Sequence, residues 1–250
     1  MVERNDRDRV AAFVVDDEPF VPGGSVSLGD AVARHVRVRR LGVGAQLTLL
    51  DGQGHRAVGT LVRMAPSPIV EVERVAVTPP EPPVHLLVPI ADRDRMLWLA
   101  EKAVELAVTS WRPVLYRRSR SVKPRGEGPT FMAKVKARMA AALEQSEGTW
   151  MPAIFPESTV ERALAALPQD GTRIVLDPGG APATSLSLDA LPVALAVGPE
   201  GGFEEEELEL FAQQGFDRAL IGGGILRWES AAISGLAIIR TRLVEARVHV

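Results

Sequence analysis

Cysteine is absent from the 250 residues, which excludes disulfide staples and thiolate metal sites. Histidine is scarce and dispersed. His35, His55, His85 and His249 form no HExxH pair, which argues against a zinc hydrolase, and no metal is expected. No apolar run approaches the roughly 20 residues that span a bilayer, and Met1 to Arg7 is charged where a signal peptide would be apolar. These absences point to a cytoplasmic protein without a membrane partner.

What is present is ordinary in bulk. Hydrophobic residues make up 46% and charged residues 24%, as in a globular protein. With 29 Lys and Arg against 32 Asp and Glu, the net charge is −3, which by itself argues against a nucleic-acid ligand. The distribution argues the other way. Nine bases lie between Arg112 and Arg138, namely Arg112, Arg117, Arg118, Arg120, Lys123, Arg125, Lys134, Lys136 and Arg138, opposed only by Glu127. Arg34, Arg37, Arg39 and Arg40 form a second cluster, while acid concentrates at Glu204-Glu205-Glu206-Glu207.

Pro79-Pro80-Glu81-Pro82-Pro83 breaks both helix and sheet and marks a boundary. Residues 1–78 read as a small strand-rich domain. It has a helix over Asp30–Arg40 with Asp30 as N-cap, and strands at Gln46–Leu50, His55–Met64 and Ile69–Val77. Asp51-Gly52-Gln53-Gly54 supplies the first turn. Residues 84–250 alternate instead. Apolar strands are expected at Val84–Pro89, Pro113–Tyr116, Ile174–Asp177, Ala194–Val197 and Ala219–Ile221. Helices are expected at Asp94–Ala107, Phe131–Gln145, Glu204–Gln214 and Ser230–Glu245. That alternation predicts a mostly parallel α/β sheet, whose ligands sit beyond the carboxyl ends of the strands.

Two glycine-rich segments fall at such ends. Val197-Gly198-Pro199-Glu200-Gly201-Gly202-Phe203 joins an apolar strand to an acidic helix start. It reads either as a cradle of exposed amides for a ligand or as a tight turn whose glutamates complement the helix dipole. It is not a P-loop, since no Lys-Ser or Lys-Thr follows. Leu220-Ile221-Gly222-Gly223-Gly224-Ile225-Leu226-Arg227 repeats the arrangement about 20 residues on. The pair reads as two walls of one pocket. Arg227 either meets an anion or pairs with Glu229. Gly52-Gln53-Gly54-His55-Arg56-Ala57 matches a dinucleotide fingerprint formally, but it joins two strands where the fingerprint opens a helix.

The run VGPEGGFEEEELELFAQQGF…ALIGGGILRWESAA resembles the C-terminal signature of the RsmE-type family, the 16S ribosomal RNA uridine N3-methyltransferases of the SPOUT superfamily. Glu101 to Val108, Arg117-Arg118-Ser119 and Ala141 to Ser146 resemble further family segments. His35 to Arg40 and Leu50 to Gly54 resemble its PUA-like first domain. The likeness is collinear over nearly the whole chain. Departures fall at Glu147-Gly148, where the family usually has Arg after the EQS helix, and at Gly223-Gly224, where it usually has Pro-Arg. They fall also at Trp228-Glu229-Ser230-Ala231, where it has Thr-Glu-Thr-Ala.

The resemblance implies a trefoil-knotted, mostly parallel sheet flanked by helices, preceded by a small PUA-like β-barrel. It implies S-adenosyl-L-methionine as cofactor, with Leu176, Asp177, Val197, Gly198, Pro199, Glu200, Gly201, Gly202, Ile221, Gly222, Gly224, Ile225 and Leu226 as its walls. It also implies a homodimer and methylation at N3 of a uridine in 16S ribosomal RNA of the small ribosomal subunit. A 2′-O-ribose RNA methyltransferase of the same superfamily and a non-catalytic RNA-binding assembly factor are the alternatives. Uridine N3 carries a proton at neutral pH, so the site needs a base or an anion-stabilising cation. Glu200 and Glu144 are the candidate bases, and Arg118 and Arg227 the candidate cations. Arg34, Arg37, Arg40, Arg117, Arg118, Arg120, Lys123 and Arg125 are expected on RNA. Trp111, Trp150 and Trp228 are expected either to stack on a flipped uridine or to lie in core or dimer interface.

Overall fold

The computed structural model describes residues 10–15, 19–121, 126–188 and 190–248, without side chains at 120, 121, 247 and 248. Lys123 and Arg125 therefore lie outside the described residues, as does the side chain of Arg120. The chain divides into two units, 1–80 with 140–151, and 81–139 with 152–250.

The first unit is a five-stranded sheet in the order β1-β3-β4-β5-β2. Its strands are β1 (Ala11–Val14), β2 (Ser25–Ser27), β3 (Gln46–Leu50), β4 (His55–Arg63) and β5 (Ile69–Val77), with helix α1 (Asp30–Val38). β1 runs parallel to β3, and the other pairs are antiparallel. Period-2 residues Leu47, Leu49, Ala57, Leu61, Val70 and Val72 point inward with Phe13, Leu28 and Val36. Gly29, not Asp30, occupies the N-cap of α1. Asp30 lies in the first turn, where its charge meets the positive end of the helix. Arg34, Arg37 and Arg40 are exposed.

Segment 140–151 joins this unit although its sequence follows the proline boundary. Side chains and backbone explain the assignment. Trp150 Nε1 donates to Thr78 O at 2.9 Å, and Gly54 N donates to Thr149 O at 2.9 Å. Arg56 Nη1 donates to Glu147 Oε2 at 3.3 Å.

The second unit is a seven-stranded sheet in the order β12-β10-β11-β6-β7-β8, with β9 also on β7. The strands are β6 (Val84–Pro89), β7 (Ser110–Leu115), β8 (Ala153–Ile154), β9 (Ser158–Thr159), β10 (Thr172–Pro182), β11 (Val193–Val197) and β12 (Asp217–Leu220). Every pair is parallel. The helices are α2 (Arg93–Glu105), α3 (Pro129–Ser146), α4 (Val160–Ala165), α5 (Glu205–Gln213) and α6 (Trp228–Val248). β6 and β11 are buried at all positions, which is why they read as unbroken apolar runs. Helix α2 starts where Asp92 accepts from the amides of Asp94 and Arg95, each at 3.1 Å. It stops at Ala107, whose φ of 52° cannot continue a helix. Among the described residues no helix is long and apolar enough to cross a membrane.

Arg112 corrects the reading of the basic stretch. It is 6% exposed, stacks 3.7 Å from the centroid of Phe155 and donates to Ala166 O at 3.1 Å. It is a core cation, not a phosphate contact. Its Nε donates to Ser110 Oγ at 2.9 Å, and that hydroxyl lies 2.8 Å from His85 Nδ1. A hydroxyl already accepting from Arg112 sends its own proton to His85, whose Nδ1 must then be bare. Burial first and the Arg112 charge second push His85 from 6.5 down to about 4.

The unfolded chain therefore binds more protons than the folded one between these values. Stability from this site is full above pH 6.5 and falls as pH drops toward 4. Solvent screening keeps the loss to about 1–3 kcal/mol. Denaturant midpoints at pH 7.5 and 4.5 for wild type and His85→Asn check this. The variant should lose distinctly less over the interval, and an equal loss would refute the assignment.

Candidate functional site

A cavity of about 490 Å³ opens beyond the carboxyl ends of β10, β11 and β12, where an open parallel sheet places its ligands. β10 contributes Leu176, Asp177 and Pro178, and the turn after β11 contributes Val197 to Glu200, Gly202 and Phe203. The β12 side contributes Ala219 to Ile221 and Gly224 to Trp228, and α6 adds Ala231. Arg95 of α2 closes the list of charged walls with Asp177, Glu200 and Arg227.

The first turn is built tightly. Gly202 has φ +72° and its amide donates to Pro199 O at 2.9 Å, a conformation that favours glycine. A Cβ on Gly198 would fall 2.9 Å from the Phe203 ring. Phe203 in turn packs edge-on against Tyr116 at 5.1 Å and Phe211 at 5.4 Å, contacts worth about 0.5–1.5 kcal/mol each beyond area burial. Glu207, 5% exposed, accepts from the Glu204 amide at 2.9 Å and from the Arg117 amide at 2.9 Å.

Arg118 then clasps the turn from outside. Its Nε and Nη2 reach the two oxygens of Glu204 at 2.8 and 3.1 Å, and its Nη1 donates to Gly201 O at 2.6 Å. The hydrogen bond and charge of Glu204 raise Arg118 above its ordinary value, and the same bond lowers Glu204. A bidentate fork of this kind fixes geometry as well as charge.

The second turn is loose by comparison. Gly222 has φ +75°, and Cβ atoms at Gly222, Gly223 or Gly224 would meet nothing within 4 Å. Ile225 is 91% exposed at the cavity rim. Across the cavity floor, Asp177 Oδ1 accepts from Gly179 N at 2.8 Å and Arg218 Nε at 3.1 Å.

Comparison with known proteins decides the family. Residues 79–240 match the model of the RNA methyltransferase domain, and residues 28–72 match that of the RNA methyltransferase PUA domain. This chain belongs to the RNA methyltransferase family. Relatives named ribosomal RNA small subunit methyltransferase E include one from Rickettsia conorii, 28% identical over 62% of this chain and 63% of that protein. Another, from Mycobacterium bovis, is 26% identical over 91% and 90%. The chain thus spans under two thirds of the Rickettsia relative's length. A solved methyltransferase E from Neisseria gonorrhoeae, bound to S-adenosyl methionine, superposes with a TM-score of 0.86 at 26% identity, covering 94% and 98%. The expected fold class, a parallel α/β sheet flanked by helices after a PUA-like domain of the RsmE type, holds.

Within the methyltransferase domain most expected walls converge. Leu176, Asp177, Val197, Gly198, Pro199, Glu200, Gly202, Ile221, Gly224, Ile225 and Leu226 line the cavity, and Arg227 does too. Gly201 and Gly222 do not, since Gly201 turns toward Arg118 and Gly222 serves the bend. Arg118 is not a wall either, being spent on the turn.

Neither expected base is an isolated carboxylate. Glu200 pairs with Arg95 Nη1. Glu144 belongs to the first unit, where its Oε1 accepts from Val14 N at 3.0 Å. Burial is the main cause that raises it, opposed by that amide, His35 and Arg39. Trp111 is 0% exposed and belongs to the core, Trp228 is 3% exposed yet lines the cavity, and Trp150 is 39% exposed. Arg227 is exposed and makes no ion pair with a described residue, while Glu229 lies 3.7 Å from Arg95 instead. Arg95 itself was missed, because one arginine on a helical face carries no signal until the fold brings it to the cavity.

Arg118→Gln should speed amide hydrogen exchange at Gly201 to Phe203 while leaving the far-ultraviolet spectrum unchanged. Unaltered exchange there would remove Arg118 as the clasp.

Proposed function

We propose that this protein transfers a methyl group from S-adenosylmethionine to N3 of a uridine in 16S ribosomal RNA of the small subunit. The observation that carries the reading is the cavity formed by two glycine-rich strand ends, in a chain of the RNA methyltransferase family whose solved relative holds S-adenosyl methionine at 26% identity. The residues fit that cofactor. The volume lies within the ~300–1,000 Å³ usual for small-molecule sites. Leu176, Ile221 and Leu226 offer apolar surface to an adenine ring, and glycine backbone at Gly198 and Gly224 brings amides and carbonyls close to its polar edge.

When bound, the cofactor supplies a methyl group already activated on a sulfonium. The remaining work is binding, alignment and removal of one proton. The two turns orient the donor, and alignment supplies much of the rate. Arg227, on the cavity wall and without an ion partner among the described residues, stabilises the uridine anion as N3 loses its proton. With Glu200 held by Arg95, we assign that proton to water rather than to a carboxylate.

We further propose that the first unit grips RNA through exposed Arg34, Arg37 and Arg40, assisted by Arg117 on the 3-10 turn Arg117–Ser121. Arg120, Lys123 and Arg125 extend that basic stretch in sequence. The protein acts as a homodimer in the cytoplasm, and the trefoil knot of the RsmE type belongs to the same reading.

Labelled S-adenosylmethionine and small subunits lacking the modification test the function directly, with nucleosides identified by mass spectrometry. N3-methyluridine is expected, whereas a 2′-O-methylated nucleoside would move the enzyme to the neighbouring family. Gly198→Val should weaken S-adenosylhomocysteine binding by about fivefold to a hundredfold, since overpacking costs about 1–3 kcal/mol. Calorimetric affinity equal to wild type, in a folded variant, would remove the turn from the cofactor site.

A further inference from the structure

The cavity is chemically graded along the sheet. On the β12 and β10 side Leu176, Ala219, Leu220 and Ile221 offer an apolar surface, bordered by Asp177 and Arg227. The strand order β12-β10-β11-β6 then carries the wall past the glycine turn to α2, which follows β6. There the wall is an ion pair, Arg95 with Glu200, both lining the cavity. The pair has a second anchor. Arg95 Nε lies 3.7 Å from Glu229 Oε1, and Glu229 is 7% exposed with its Oε2 lacking any hydrogen-bond partner. A buried carboxylate with an unsatisfied oxygen is costly unless a cation stays beside it. Glu229 therefore ties the guanidinium to one place, while Glu200, with 47% of its side chain exposed, is free to share its charge with a ligand.

We propose that Arg95 and Glu200 form a receptor for the α-amino-acid end of the cofactor, with Glu229 as the positioning residue that fixes Arg95. This deepens the cofactor reading and rests on it. A guanidinium keeps five donors in a planar fork. Nη1 serves Glu200 and Nε faces Glu229, which leaves Nη2 for an α-carboxylate. The matching α-ammonium meets Glu200, so a ligand zwitterion inserts its two charges against an ion pair of opposite order. Adenosine then takes the apolar side of the same cavity.

Titration calorimetry with two probes tests this without turnover. S-adenosylhomocysteine carries the amino-acid end, and 5′-methylthioadenosine lacks it. Wild type should bind the first at least about tenfold more tightly, since hydrogen bonds to charged groups are the strong ones. Arg95→Met should weaken S-adenosylhomocysteine by about tenfold to a hundredfold while 5′-methylthioadenosine stays near its wild-type affinity, which also reports an intact pocket. Arg95→Lys should recover only part of the difference. Glu229→Gln should follow Arg95→Met in direction with a smaller effect.

Equal weakening of both probes would make Arg95 a structural strut and overturn the proposal. Unchanged affinity for both in Arg95→Met would do the same, and a fall in turnover alone would assign Arg95 to RNA. If wild type binds neither probe, the cofactor reading itself fails.

Discussion

The position of β11 between β10 and β6 is the constraint on which the site depends. A parallel strand buried at all five positions has no freedom of register, because its backbone bonds and both side-chain faces are committed. Val197 must therefore deliver the chain to one point at the carboxyl edge of the sheet. From there only a glycine-rich turn can bend close enough to pack Phe203 on Tyr116 and still start α5. The ligand-facing backbone is thus a consequence of core packing rather than an addition to it.

Charge finishes what packing begins. Three carboxylates around the cavity each take a cation from a different element. Glu204 takes Arg118, Glu200 takes Arg95, and Asp177 takes Arg218. Exposed pairs of this kind contribute little to global stability, so their value lies in geometry. They hold loops that have few apolar contacts of their own. The second turn, at Gly222 to Gly224, has no such clasp among the described residues and no neighbours around its glycines. One wall of the cavity is therefore preset and the other is pliable.

Arginine illustrates how context overrides composition. The basic stretch beginning at Arg112 looks uniform in sequence, yet its members do unlike things. Arg112 lies in the core against Phe155, Arg118 clasps a turn, and Arg138 pairs with Glu101 at 2.7 Å. Charge density along the chain cannot separate these fates, since each depends on which aromatic, carbonyl or carboxylate arrives from elsewhere.

The sequence by itself determined the parallel sheet and the two glycine-rich turns, because period, apolar runs and turn chemistry are local properties. It also carried the family likeness, since VGPEGGF and GILR are contiguous. Tertiary structure alone decided the rest. Segment 140–151 joined the first unit through Trp150 and Glu147, whose partners lie about 70 to 90 residues away in sequence. Glu144 became a half-buried acceptor for Val14, Trp111 went to the core, and Arg95 and Trp228 became walls of the cavity. Each of those outcomes is set by a partner distant in sequence. A side chain's chemistry is written in its residue type, but its role is fixed only when the fold supplies the group it faces.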